Sequence, residues 1–306
     1  MRAKIFMLAG EDRFLPHLGY SQTVLTNLAV AFNHSFVMKQ AVYSDPAADN
    51  LNAVREADAS LFAGRDDLIQ TMMNQLGCFA GMRVYDVSDS LRELSKMKNS
   101  LSPQGAVIWP LNGTETAISK AAVEACRYAG ENHCKFGLIP PNEKSAVWEN
   151  AATRAAMYSA QEAPLIAPLD QAVIGMLTAG GEGRILLSDV HDAQIVSRLL
   201  DWLSGTDSLG YSLYISDTGR FYAPAPGNTA HPGVFSMLYA TADMVKTSLK
   251  LEKEADCLKT AIDNVLSSGW RTQEMEQSEK TIPEQEVLRL IGEQIALAGE
   301  LFEHLR

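Results

Sequence analysis

Apolar runs of strand length alternate with stretches of helical period along most of this chain, and few architectures accept that alternation. Residues 4–9, apolar after Lys4, suit a buried strand, followed by a loop holding Gly10 and Pro16. Residues 21–33 place Val24, Leu25, Leu28 and Phe32 on one helical face. Residues 35–43 alternate as a second strand, 51–57 read as a helix and 59–63 as a third strand. Strand, helix, strand, helix marks a parallel α/β sheet. The rhythm continues with a helix over 68–76, a strand over 105–109 and a helix over 115–129 that Gly130 is expected to stop. A strand over 135–139 ends at Pro140-Pro141. Helices over 146–160, 168–177 and 193–203 and strands over 184–187 and 211–215 come next. A loop rich in Pro and Gly spans 223–232, and three helices close the chain, over 234–248, 251–267 and 283–305. The apolar stripe of the last helix, from Val287 and Leu290 to Leu301, reads as a packing face, because its polar face is acidic and anionic lipid would repel it.

The chain is long enough for two joined domains: 306 residues, 46% hydrophobic and 21% charged. With 26 basic and 37 acidic residues its net charge is −11, a sign that repels phosphate backbones and disfavours nucleic acid as a partner. The densest basic stretch, residues 92–98, holds three cations and one Glu and reads as a solvated face. Cys78, Cys126, Cys134 and Cys257 show no CxxC spacing, which suggests a reducing, cytoplasmic setting. The N-terminal run is too short for a signal-peptide core, and no apolar run reaches membrane-spanning length.

Two stretches carry a likeness to a known family. One begins at His231-Pro232 and runs through the helix that follows to Gly269-Trp270-Arg271-Thr272. The other, residues 25–43, contains Ala29-Val30-Ala31-Phe32-Asn33. Between them, Asn142-Glu143-Lys144 looks like a lysine segment. In this register the chain resembles the isocitrate/isopropylmalate dehydrogenase family, as a diverged member, over nearly its whole length. The resemblance implies an α/β, isopropylmalate dehydrogenase-like open sheet with two domains and a central cleft. Residues 1–104 and 207–306 would form a discontinuous, cofactor-side domain, and 105–206 the dimerisation and substrate domain. The helices over 168–177 and 193–203 would meet those of a second copy in a homodimer.

That family oxidises a 2-hydroxy acid with NAD(P) and decarboxylates it. A divalent metal held by carboxylates stabilises the enolate, a lysine and a tyrosine move protons, and arginines clamp the substrate. By resemblance Lys144 is the lysine and Asp170 the carboxylate that reaches across the dimer. The family's two further metal carboxylates fall on Gln194 and Arg198, so Mg²⁺ or Mn²⁺ is disfavoured, and Arg198 would stand as a fixed positive charge in the metal's place. The segment Asp189, His191, Asp192 just before them reads either as a relocated metal or acid–base site or as helix N-cap carboxylates. Of three substrate arginines only Arg83 is kept; the others fall on Met73 and Trp109. The tyrosine position falls in the shortened 112–114 segment, which holds no Tyr. In the nucleotide site the early glycines are replaced by Glu11 to Leu15, and the adenosine loop shrinks to Gly227, Asn228 and His231. NAD or NADP remains the cofactor implied by family.

Three functions therefore stay open. One is a family oxidoreductase with altered or lost chemistry. Another is a non-catalytic dimer that binds a small carboxylate. The third is a cofactor-free lyase or isomerase using Lys144.

Overall fold

The computed structural model describes all residues except 44–47, 86–104, 142–144, 179–183, 205–208, 226–232, 274, 276–279 and 305–306. In chain order the elements begin with β1 (Arg2–Ala9), a 3-10 turn (Asp12–Phe14), α1 (Leu15–Ala31), β2 (Ser35–Val42), α2 (Ala48–Glu56), β3 (Ala59–Ala63) and α3 (Asp66–Gln75). Then come β4 (Ala80–Tyr85), β5 (Gly105–Pro110), α4 (Glu115–Glu131), β6 (Lys135–Leu138), α5 (Ser145–Tyr158), β7 (Leu165–Ile166) and α6 (Leu169–Thr178). The rest are β8 (Arg184–Leu187), α7 (Val190–Ser204), β9 (Tyr211–Ile215), β10 (Arg220–Pro224), α8 (Val234–Thr247), α9 (Glu252–Ser267), β11 (Trp270–Arg271), β12 (Lys280–Thr281) and α10 (Glu284–His304). No helix among the described residues is long and apolar enough to cross a membrane.

The chain divides into two compact units, Met1–Leu76 with Thr218–Arg306, and Gly77–Asp217. The borders expected from the resemblance lie at 104/105 and 206/207. They differ because β4 and β9 pair with each other and β4 also pairs with β5, so hydrogen bonding assigns all three to the second unit.

In the first unit the strands run β2-β1-β3-β10, all parallel. β1 and β3 are central, and Met7, Leu8, Leu61 and Phe62 are fully buried, which is why these strands read as mainly apolar runs. β2 is the edge strand, so exposed Ser35, Val37 and Lys39 alternate with half-buried residues. α8 touches α1, α9, β3 and β10 and is buried nearly all round, as its mostly apolar sequence requires. α1 and α10 cross closely at two glycines: a Cβ on Gly292 would lie 2.7 Å from Asn27, and one on Gly299 2.8 Å from Ala31. Arg271 is buried, and its Nη1 donates to the carbonyls of Leu266 (2.6 Å) and Trp270 (2.8 Å), closing the end of α9.

In the second unit the order is β9-β4-β5-β8-β6-β7. β4 is antiparallel to both β5 and β9, while β5, β8, β6 and β7 are parallel, so the sheet is mixed where the sequence rhythm predicts a parallel one. α4 lies along β5, β6 and β8 with α5 beside it. α6 and α7 pack on a cluster of Tyr85, Val107, Ile139, Leu186, Ala193, Val196 and Leu200. Thr114 caps α4, accepting from Ala117 N at 3.3 Å. Gly130 does not stop this helix, which runs on to Glu131; the left-handed residue is His133, at φ 54°.

Candidate functional site

The strand alternation of β4 sets Gly81, Arg83 and Tyr85 on one face of the second unit's sheet. The register completes the group. Gly81 stands opposite Trp109 on β5 and Tyr214 on β9, and Arg83 opposite Val107 and Ser212. Arg83 is only 6% exposed, and its Nη1 donates to Ser212 Oγ at 2.9 Å. A guanidinium drawn out of water this far needs such donors' partners to be tolerated at all. The Tyr85 hydroxyl donates to the Ser197 carbonyl of α7 at 2.9 Å, tying that helix to the same face.

Parallel strands β5, β6 and β8 end on one side, the side where open α/β sheets take ligands. Ser188 N donates to Ile108 O (3.1 Å) and Ile139 N to Leu187 O (2.9 Å), so the loops after β8 and β6 are laced to neighbouring strand ends. Trp109 closes β5 at this end, half-buried, and rests with Leu169 on the cluster that holds α6 and α7. Asp170 follows Leu169 in the first turn of α6 and is exposed. On α7, Ala193, Val196, Ser197 and Leu200 are buried, whereas Gln194 and Arg198, one helical turn apart, are exposed together. Arg83 thus lies within the sheet and Asp170 and Arg198 on the helical surface above it. Lys144 follows Pro140-Pro141 after β6 and lies outside the described residues, as do Gly227, Asn228 and His231.

Asp189 is the N-cap of α7: its Oδ1 accepts from Asp192 N at 2.9 Å, and its carbonyl from Ala193 N at 2.9 Å. Burial first, and the Asp189 carboxylate second, push the Asp192 carboxyl above the ordinary range, opposed by His191. The capping role uses one oxygen of Asp189, and among the described residues no three His, Cys, Asp or Glu gather as a metal site. Burial also pushes the Cys78 and Cys126 thiols up to about 12 and, with help from Glu254, Cys257 to about 11, which makes them poor nucleophiles at neutral pH.

In the first unit Met73 is fully buried on α3. The segment after β1 is stiffened by local contacts. Gly10 N donates to Ala63 O at 2.8 Å, Phe14 is buried, and Arg13 pairs with Glu11 at 2.8 Å while its guanidinium sits 4.9 Å from the Phe14 ring centre. Arg65 pairs with Asp67 close by in sequence. Sequence reasoning missed Tyr85, Ser197 and Ser212 as companions of Arg83. The signal was present in the period-two spacing of Gly81, Arg83 and Tyr85, but Gly81 and Arg83 break the apolar run by which the other buried strands show themselves.

No family model matches the chain. The chain is 22% identical to the 3-isopropylmalate dehydrogenase of Bacillus subtilis, over 92% of this chain and 93% of that protein. It is 22% identical to that of Prochlorococcus marinus subsp. pastoris (90% and 94%), and 25% to that of Bacillus licheniformis (90% and 91%). The crystal structure of isocitrate dehydrogenase from Methylococcus capsulatus shares the fold at a TM-score of 0.77, with 13% identity, over 96% of this chain and 99% of that one. Similarity along nine-tenths of the sequence makes this chain a diverged relative of the 3-isopropylmalate dehydrogenases, on a fold that it shares with an isocitrate dehydrogenase.

Proposed function

We propose that the chain keeps the dehydrogenase scaffold without the metal-assisted oxidation, and binds a small carboxylate. The observation that carries this reading is the exposed side of α7, where Gln194 and Arg198 stand at the positions that resemblance gives to two metal carboxylates. A guanidinium has no lone pair for a cation and repels one at close range. With Asp170 the carboxylate left from that set, the donors do not fit Mg²⁺ or Mn²⁺, and no step is derived through a metal. The segment after β1 is also a poor seat for a dinucleotide phosphate. It offers the Glu11 carboxylate, and Pro16 in the first turn of α1 has no N–H to give.

The same Arg198, with Arg83 and Lys144, suits an acid with one or two carboxylates. Exposed Ile174 on α6 and Val190 and Ile195 on α7 support a homodimer through these helices. The acidic balance of the chain supports a partner other than nucleic acid, and four cysteines that are all free are in keeping with a cytoplasmic protein.

Thermal unfolding with NAD, NADP, Mg²⁺ and succinate titrated in turn tests the reading. Succinate alone is expected to raise the midpoint; a ligand at a hundred times its Kd stabilises by about 2.7 kcal/mol. A midpoint raised jointly by Mg²⁺ and NAD would return the chain to ordinary hydroxy-acid oxidation.

A further inference from the structure

We infer that Trp109 sets the specificity of the acid site in the unit Gly77–Asp217, favouring carboxylates that carry an apolar or aromatic substituent over those that carry a further charge. The inference rests on the carboxylate-binding reading above. Trp109 and Gly81 are a directly opposed cross-strand pair. A Cβ on Gly81 would meet Trp109 Cε2 and Cζ2 at 2.6 Å and Nε1 at 2.8 Å, so the indole lies across the β4 backbone in space that only glycine leaves open. Such a seat fixes the ring. Tyr214, opposite Gly81 on the other side, is buried on the same sheet face.

Trp109 is half-buried, so part of the ring remains open at the end of β5. Two residues deeper on the same face lies the Arg83 guanidinium, held by Ser212. The face therefore pairs one fixed cation with one fixed aromatic surface. An acid drawn to the cationic side of this face has its substituent beside an indole. That ring rewards apolar or aromatic area, while its electron-rich face repels a second carboxylate.

Three acids on one succinate frame separate the possibilities: succinate, phenylsuccinate and tricarballylate, each titrated calorimetrically into the full-length protein. The expected result is phenylsuccinate binding about tenfold more tightly than tricarballylate. Trp109→Arg is expected to invert that order, and Trp109→Phe to keep it. Gly81→Ala, which displaces the ring, should weaken phenylsuccinate while sparing succinate. If Gly81→Ala fails to fold, the two Trp109 variants decide alone. A ratio unchanged in Trp109→Arg, with succinate still bound, overturns the role of Trp109 and leaves the carboxylate reading standing. No binding of any of the three acids by the unaltered protein overturns both.

Discussion

The two units bury polar groups for different purposes. In the unit Met1–Leu76 with Thr218–Arg306, they join one piece of scaffold to the next. Ser21 and Thr241 share a hydrogen bond of 2.7 Å between α1 and α8, Ser236 accepts from Ala225 N at 2.7 Å, and Arg271 finishes α9. Each bond replaces one that water would have made, and the core around it stays apolar. In the unit Gly77–Asp217 the Tyr85 hydroxyl likewise ties α7 to the sheet, but the Arg83 guanidinium is buried in mid-strand, where Val or Ile would pack at lower cost. That buried mid-strand guanidinium is what sets the second unit apart, and it is the feature on which the proposed carboxylate site rests.

Several substitutions would break or sharpen that contrast. The largest effect is expected in the first unit's core. Phe62 is fully buried and meets Phe221 edge-on at 5.9 Å, so Phe62→Ala should cost about 4 kcal/mol in denaturant unfolding. Gly299→Val, which drives a side chain into Ala31, should cost about 2 kcal/mol by separating α10 from α1. Full stability in either variant would show that this unit is not the rigid scaffold described.

Alkaline pH destabilises both units but to different extents. Burial raises the folded thiols of Cys78 and Cys126 from 9.0 to about 12, so the unfolded chain loses those protons first. Their contribution is intact below pH 9 and is lost as pH rises toward 12. The second unit holds both, the first holds Cys257 at about 11, so hydrogen exchange above pH 9 should open Gly77–Asp217 first. In the double variant Cys78→Ala, Cys126→Ala that order should disappear. The smallest effect on stability, within about 1 kcal/mol, is expected for Arg83→Met, because an apolar side chain of similar length fits a buried face well. The same variant should lose succinate binding by calorimetry. A loss of 3 kcal/mol or more, on the order seen when a buried ion partner is removed, would make Arg83 a structural residue and erase the contrast.

Legibility followed burial. Residues 59–63 read as a strand with the bounds that β3 has, because a strand covered on both faces is largely apolar, with Ser60 the one polar side chain here. Helices α4, α7 and α9 were visible from one-sided apolar faces. β4 and β10 were not read as strands. β4 carries Gly81 and Arg83, and β10 begins beside a turn and ends at Pro224, so neither shows strand propensity by itself. The short pairs β7 and β11–β12 are held by their neighbours and have no local signal. At the site, Arg83, Asp170 and Arg198 were named from resemblance, but their settings were not legible. Burial of Arg83 depends on which strands flank β4, and exposure of Arg198 on which side of α7 meets the sheet.

The sequence by itself determined the alternating α/β plan and the acidic balance, because each is a property of residue type and spacing along the chain. Only the tertiary structure decided that β4 runs against both neighbours, that Asp189 serves as a cap, and that Trp109 rests on Gly81 opposite it. These depend on partners far away in sequence, and pairing across a sheet has no local signature: residues 81 and 109 become neighbours only once the strands that carry them choose each other.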